Sequence, residues 1–157
     1  HAAQNTGTSM TSLRRIDYKR EMSSETPSCD SPRILYVEDN ETNFDIARSI
    51  LGKDFRVDWA PSSDQAIDKL ENTSYDLILM DIELSGSAMS GLDLTQELRS
   101  GRFDRTEQRL SDLPIIIVTG YTAAYSETDL LGLGANAMLH KPIEPAILVE
   151  RAQDLSL

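Results

Sequence analysis

The chain has 157 residues, with 15 Lys and Arg against 26 Asp and Glu, a formal net charge of −11. That length suits one domain with a buried core, and 39% hydrophobic residues exceed what a disordered acidic chain carries. No apolar run approaches the roughly 20 residues that span a bilayer, and the acidic balance opposes direct binding to nucleic acid, which needs clustered Lys and Arg.

Residues 1–32 come first and lack apolar periodicity. Their charges cancel, with Arg14, Arg15, Lys19 and Arg20 against Asp17, Glu21, Glu25 and Asp30, so the whole excess lies in residues 33–157. The start, His1 to Thr11, has no apolar signal-peptide core and is consistent with a remnant of cloning. Pro27 and Pro32 punctuate the approach to the first apolar run. Residues 1–32 are therefore expected to be a linker or tail, and 33–157 the folded domain. The basic stretch Arg14 to Arg20 suits a solvated linker, a frayed helix end or a contact with an anionic surface. The one cysteine, Cys29, cannot form an internal disulfide and fits a reducing compartment. The expectation is a soluble cytoplasmic domain without membrane contact of its own.

From Arg33 onward short apolar runs alternate with helix-length segments. Ile34 to Val37, Leu77 to Met80 and Ile115 to Val118 have the continuous hydrophobicity of strands buried on both faces. Val57 to Ala60 and Ala137 to Leu139 are weaker strands. Phe44, Ala47, Ile50 and Leu51 share one helical face, as do Leu148, Ala152 and Leu155. Ser62 to Gln65 and Ser90 to Asp93 have the capping-box form, and Pro145 suits a first helical turn. Strand then helix, five times over, implies an α/β fold with a parallel sheet covered on both faces.

Functional groups in such sheets gather outside the carboxyl ends of the strands. Those ends carry Glu38 and Asp39, then Asp81, Thr119 and Lys141. Carboxylates about 4 Å apart repel by on the order of 4 kcal/mol per pair at an effective dielectric near 20. Protonation, Lys141 or a divalent cation must offset that. An oxygen-rich site without nearby His or Cys suits Mg²⁺ and disfavours zinc. A carboxylate beside Mg²⁺ and an ammonium is a chemically ordinary phosphoryl acceptor, with Thr119 able to donate a hydrogen bond.

Four motifs, in order, then resemble the response-regulator receiver domains of two-component signalling. They are Ile34-Leu35-Tyr36-Val37-Glu38-Asp39-Asn40, Leu77-Ile78-Leu79-Met80-Asp81, Ile116-Ile117-Val118-Thr119-Gly120 and His140-Lys141-Pro142-Ile143, and the resemblance covers residues 33 to about 155. It implies a flavodoxin-like, doubly wound five-stranded sheet of order 2-1-3-4-5 with five helices. It implies Asp81 as the acceptor of a phosphoryl group from a phosphohistidine on a histidine kinase or histidine phosphotransfer domain. Mg²⁺ would be held by Asp39, Asp81 and the backbone carbonyl of Glu83, with Glu38 acting through a bound water. Thr119 and Lys141 would hold phosphoryl oxygens, and Lys141–Pro142 would be cis.

The chain departs from this pattern in places. Met138 stands where the family usually carries an inward-swinging Tyr or Phe, so Met138 is either packing or an altered switch that Tyr121 or Tyr125 partly replaces. The loop from Ile82 to Ser90 has Ser85 where proline is frequent, and Gly91 comes late, which is expected to loosen access to the acceptor. By the same resemblance, Glu83 and Tyr121 occupy positions that in the family modulate hydrolysis of the acyl phosphate. Ser100 to Asp112 reads as a solvated loop or helix extension. The G-x-G-x-x-A match from Gly132 to Ala137 precedes a strand instead of following one, so it reads as a helix stop and not a nucleotide site.

The resemblance favours a phosphorylation-controlled module over two rivals. A phosphatase of the haloacid-dehalogenase type needs Asp-x-Asp, whereas this chain has Asp81-Ile82-Glu83. A pseudo-receiver used only for docking is opposed by Glu38, Asp39, Asp81, Thr119 and Lys141. Glu38 to Asn43 resembles receivers of hybrid sensor histidine kinases, and the end at Leu157 favours a terminal receiver of such a kinase over a stand-alone regulator. No enzyme activity is expected beyond Mg²⁺-dependent self-phosphorylation and slow self-dephosphorylation.

Overall fold

The computed structural model describes residues 28–120 and 125–156. Its strands are β1 (Arg33–Val37), β2 (Arg56–Ala60), β3 (Leu77–Asp81), β4 (Ile115–Thr119) and β5 (Ala137–His140). They form one parallel sheet in the order β2-β1-β3-β4-β5. The helices are α1 (Glu41–Leu51), α2 (Ser63–Asn72), α3 (Gly91–Arg99), α4 (Glu127–Gly132) and α5 (Pro145–Ser156). This is the flavodoxin-like order expected from the sequence.

Side chains alternate across a strand, so each apolar run divides between two cores. Ile34, Tyr36, Leu77, Leu79, Ile116 and Val118 pack with Phe44, Ala47 and Leu51 of α1 and Leu148 and Ala152 of α5. Leu35, Val37, Ile78, Met80, Ile115 and Ile117 pack with Ala66 and Leu70 of α2, Leu94 and Leu98 of α3 and Leu130 of α4. The edge strands read weakly because they are buried less. Arg56, Val57, Asp58 and Trp59 of β2 are all half-buried, and β5 buries Ala137 and Leu139 but exposes His140.

Caps place the helix starts beside the strand ends. Asn40 accepts the Asn43 N–H and opens α1 directly after Glu38 and Asp39. Ser62 accepts the Gln65 N–H at α2. Ser90 and Asp93 form a full reciprocal box at α3, and so do Ser126 and Asp129 at α4, a pair not anticipated from the sequence. α4 ends at Gly132, and Gly134 beyond it takes φ +114°, where a Cβ would be strained.

Residues 100–112 differ from the solvated loop or helix extension expected. Gly101 at φ +84° turns the chain away from α3. Asp104 then accepts both the backbone N–H and the hydroxyl of Ser111 (2.7 Å each). Gln108 pairs with both backbone groups of Tyr75, and a 3₁₀ turn, Leu110–Asp112, buries Leu110 completely. The alternating charges of this stretch concealed a loop tied down by hydrogen bonds and one apolar anchor.

Candidate functional site

β1 and β3 are adjacent and in register, with Val37 opposite Met80, so the residues that follow them emerge side by side. Glu38 is fully buried, Asp81 nearly so, and Asp39 half-buried. Carboxylate oxygens of these three residues lie within 4.8 Å of one another. β4 and β5 are also in register, and the Lys141 N–H donates to the Thr119 carbonyl (2.8 Å). The Lys141 stem therefore starts at the same rim. Its Nζ donates to Glu38 Oε1 (2.9 Å) and Asp81 Oδ2 (3.0 Å). Lys141–Pro142 is cis.

Each carboxylate is oriented by a donor that hydrophobic patterning does not mark. Glu38 Oε1 accepts the Tyr36 hydroxyl (3.2 Å), and Glu38 Oε2 accepts the Asn40 N–H (3.3 Å). Asp39 Oδ2 accepts the Ser85 N–H (3.0 Å). Asp81 Oδ1 accepts the Glu83 N–H (3.2 Å). Burial pushes the Glu38 carboxyl up to about 7, with Asp81 adding to the rise and Lys141 opposing it. Burial opposes ionisation of Asp39, yet hydrogen bonds from Glu38 and Ser85 hold that carboxyl below its ordinary value. Desolvation works against the Lys141 charge, but the two carboxylates outweigh it and keep the ammonium above its ordinary value. Burial, Glu38 and Asp81 together raise the Tyr36 hydroxyl, which stays a neutral donor.

Glu38, Asp39, Asp81, Glu83, Gly120 and Lys141 line one open cleft of about 400 Å³. The Glu83 side chain is exposed, and its carboxylate lies outside the cluster of three. Thr119 ends β4 fully buried, next to Gly120 of the cleft wall. Met138 is half-buried and packs on the α2–α3–α4 side of the sheet, as does Tyr125. Tyr121 lies outside the described residues.

Gly91, notable in the sequence only for its late position, is a residue on which the site depends. A Cβ there would stand 1.9 Å from the Asp81 carbonyl oxygen, so only glycine lets α3 begin against the end of β3. The signal was present in Ser90-Gly91 at the helix start, but nothing in the sequence says what approaches that glycine.

Three carboxylates face one ammonium, an imbalance that a divalent cation of hard, oxygen-liganded type fits. Proton uptake by Glu38 is the alternative way to relieve it, favoured first by the burial of that carboxyl and then by Asp81 beside it. No helix among the described residues is long and apolar enough to cross a membrane.

Comparison with known proteins identifies the family that carries this fold. The family model of the response regulator receiver domain matches residues 34–153. The chain is 34% identical over 143 residues to the autoinducer 2 sensor kinase/phosphatase LuxQ of Vibrio harveyi, covering 90% of this chain and 16% of that protein. It is 34% identical over 125 residues to hybrid signal transduction histidine kinase M of Dictyostelium discoideum, covering 78% of this chain and 5% of that protein. The chain thus spans only a small part of these relatives. A similar solved structure is the receiver domain of a sensor histidine kinase from Pseudomonas aeruginosa PAO1, with magnesium coordinated in its active-site cleft. It has a TM-score of 0.68 at 29% identity and covers 80% of this chain and 98% of that one. The chain belongs to the response-regulator receiver family of two-component signalling.

Proposed function

We propose that this receiver takes a phosphoryl group from a phosphohistidine of a partner protein onto the Asp81 carboxylate. The partner is a histidine kinase or a histidine phosphotransfer domain. One observation carries the reading: Lys141 Nζ spans Asp81 and Glu38 inside an acidic cleft that is open to a docking protein. The residues suited to hold Mg²⁺ are Asp39, Asp81 and the Glu83 carbonyl, with Glu38 acting through a bound water.

An Asp81 oxygen attacks phosphorus, the P–N bond to the donor imidazole breaks, and the imidazole leaves as the neutral ring once protonated. Held by Asp39, Asp81 and the Glu83 carbonyl, Mg²⁺ would supply positive charge near the transferring oxygens and offset the repulsion between Asp81 and its acidic neighbours. Lys141, already at hydrogen-bond distance from Asp81, shifts its donors to the new phosphoryl oxygens, and Thr119 supplies a further hydrogen bond. Glu83 and Gly120 line the same cleft.

The relatives' names, a sensor kinase/phosphatase and a hybrid histidine kinase, support a place in a larger sensor protein, and our reading puts the receiver on its cytoplasmic side, relaying to a histidine of a partner domain. Incubation with acetyl phosphate and Mg²⁺, read by intact mass, tests the chemistry. The expected result is one added phosphoryl group in wild type and none in Asp81→Asn or in the presence of a chelator. Equal gain in Asp81→Asn overturns the assignment of the acceptor. No gain in wild type points to a docking pseudo-receiver.

A further inference from the structure

The β3–α3 loop carries Glu83, yet much of what holds it lies on α2. Its centre is a tight turn in which the Ser87 N–H donates to the Leu84 carbonyl (3.1 Å), with Gly86 at φ +72° in the third position. On one side of the turn the Ser85 N–H reaches Asp39 Oδ2. On the other side the loop meets Ser63, the first residue of α2, which is fully buried. The Ser63 N–H donates to Ser87 Oγ (2.8 Å), and the Ser87 hydroxyl donates back to Ser63 Oγ (2.8 Å). The Met89 N–H donates to that same Ser63 oxygen (3.1 Å). Ile82 and Leu84 bury their side chains in the core below.

The Gly/Ser-rich loop, expected to loosen access to the acceptor, is thus itself tied down on both sides of its turn. We infer that Ser63 and Ser87 are positioning residues for the cation site, acting through the loop that brings Glu83 and the Ser85 N–H to Asp39 and Asp81. Neither serine lines the cleft. Their effect is to remove alternative loop conformations that the six residues Ser85 to Ser90, all small or polar except Met89, would otherwise sample. The inference rests on the Mg²⁺ reading given above.

Calorimetric titration of the full chain with Mg²⁺ alone tests it, beside thermal melts of each variant. Ser87 is half-buried, so substitutions there leave the core intact. Expected are Kd values raised roughly threefold to tenfold in Ser63→Ala, Ser87→Ala and Ser87→Val, a smaller loss than removal of a partner bonded directly to a ligand. Ser87→Thr, which keeps the hydroxyl, is expected to bind as wild type does. Wild-type affinity in all the variants overturns the inference and leaves the phosphoacceptor reading standing. Equal weakening in Ser87→Thr and Ser87→Val also overturns it, because the hydroxyl would then be irrelevant. Absence of Mg²⁺ binding in wild type removes both.

Discussion

Trp59 Nε1 donates to the backbone carbonyl of Glu38 at 2.6 Å, tying β2 to the acidic end of β1. Its ring stacks on Phe44 of α1 at 5.6 Å between centroids, and Phe44 in turn meets Tyr36, the donor to Glu38 Oε1. The single tryptophan is therefore wired to the backbone of the acidic cluster proposed to hold Mg²⁺. Mg²⁺ is expected to produce a saturable change in its emission. Asp39→Asn should move the midpoint at least about tenfold higher, since loss of a direct ligand costs no less than loss of a ligand's partner. A fluorescence titration that is flat in wild type would contradict this.

The buried Glu38 carboxyl makes the stability of the Mg²⁺-free protein depend on pH. Its ordinary value of 4.5 is raised to about 7 by burial. The fold holds this proton more tightly than the unfolded chain does. The contribution is whole below about pH 4.5 and is lost as pH rises through about 7, an effect on the order of 3 kcal/mol. Asp39, held below its ordinary value of 3.8, acts with the opposite sign and only at the acid end, losing its contribution as pH falls. Thermal melts without Mg²⁺ should thus show Tm falling between about pH 5 and pH 8, with that slope gone in Glu38→Gln. Since the cation competes with the proton, Mg²⁺ affinity should climb with pH and level off above about 7.

Lys141→Met removes the ammonium and leaves Glu38 and Asp81 facing each other. At low pH Glu38 can take a proton and relieve the repulsion, whereas at high pH it cannot do so cheaply. The loss of stability should be small near pH 5 and on the order of 3 kcal/mol near pH 8 without Mg²⁺. Denaturant midpoints at the two pH values measure the difference, and an equal loss at both would show that Lys141 contributes packing alone.

Gly91→Ala places a methyl group 1.9 Å from the Asp81 carbonyl oxygen and 3.1 Å from Ile82 Cα. These are backbone atoms at the end of a central strand, so neither can swing aside. A destabilisation of about 3 kcal/mol is expected, together with slower phosphorylation as Asp81 is displaced. Gly132→Ala is the control. A methyl group at that position meets open space within 4 Å, and a gain of up to about 1 kcal/mol is expected there from lowered entropy of the unfolded chain. Urea titrations of both variants, with a phosphorylation time course for Gly91→Ala, check the pair.

Much of this molecule is readable one segment at a time. A strand buried on both faces must be apolar at every position, so Ile34–Val37, Leu77–Met80 and Ile115–Val118 announce three central strands, and the capping serines mark where helices start. Parallel pairing then brings the residues after those strands to one rim, so Glu38, Asp39, Asp81 and Lys141 group together on sequence grounds. The resemblance to receivers supplied the strand order and the cis peptide bond, which no hydrophobic pattern contains. Some orienting bonds are local, since the Tyr36 hydroxyl and the Asn40 N–H reach Glu38, and the Glu83 N–H reaches Asp81, from two residues away. Tertiary structure alone decided the others: the Trp59 indole on the Glu38 carbonyl, the Ser85 N–H on Asp39 and the Ser63–Ser87 pair act between separate strands, helix starts and loops. Hydrophobic periodicity records which face of an element is dry, whereas a hydrogen bond at 3 Å depends on where two separate elements come to rest, and that is settled by packing of the whole core.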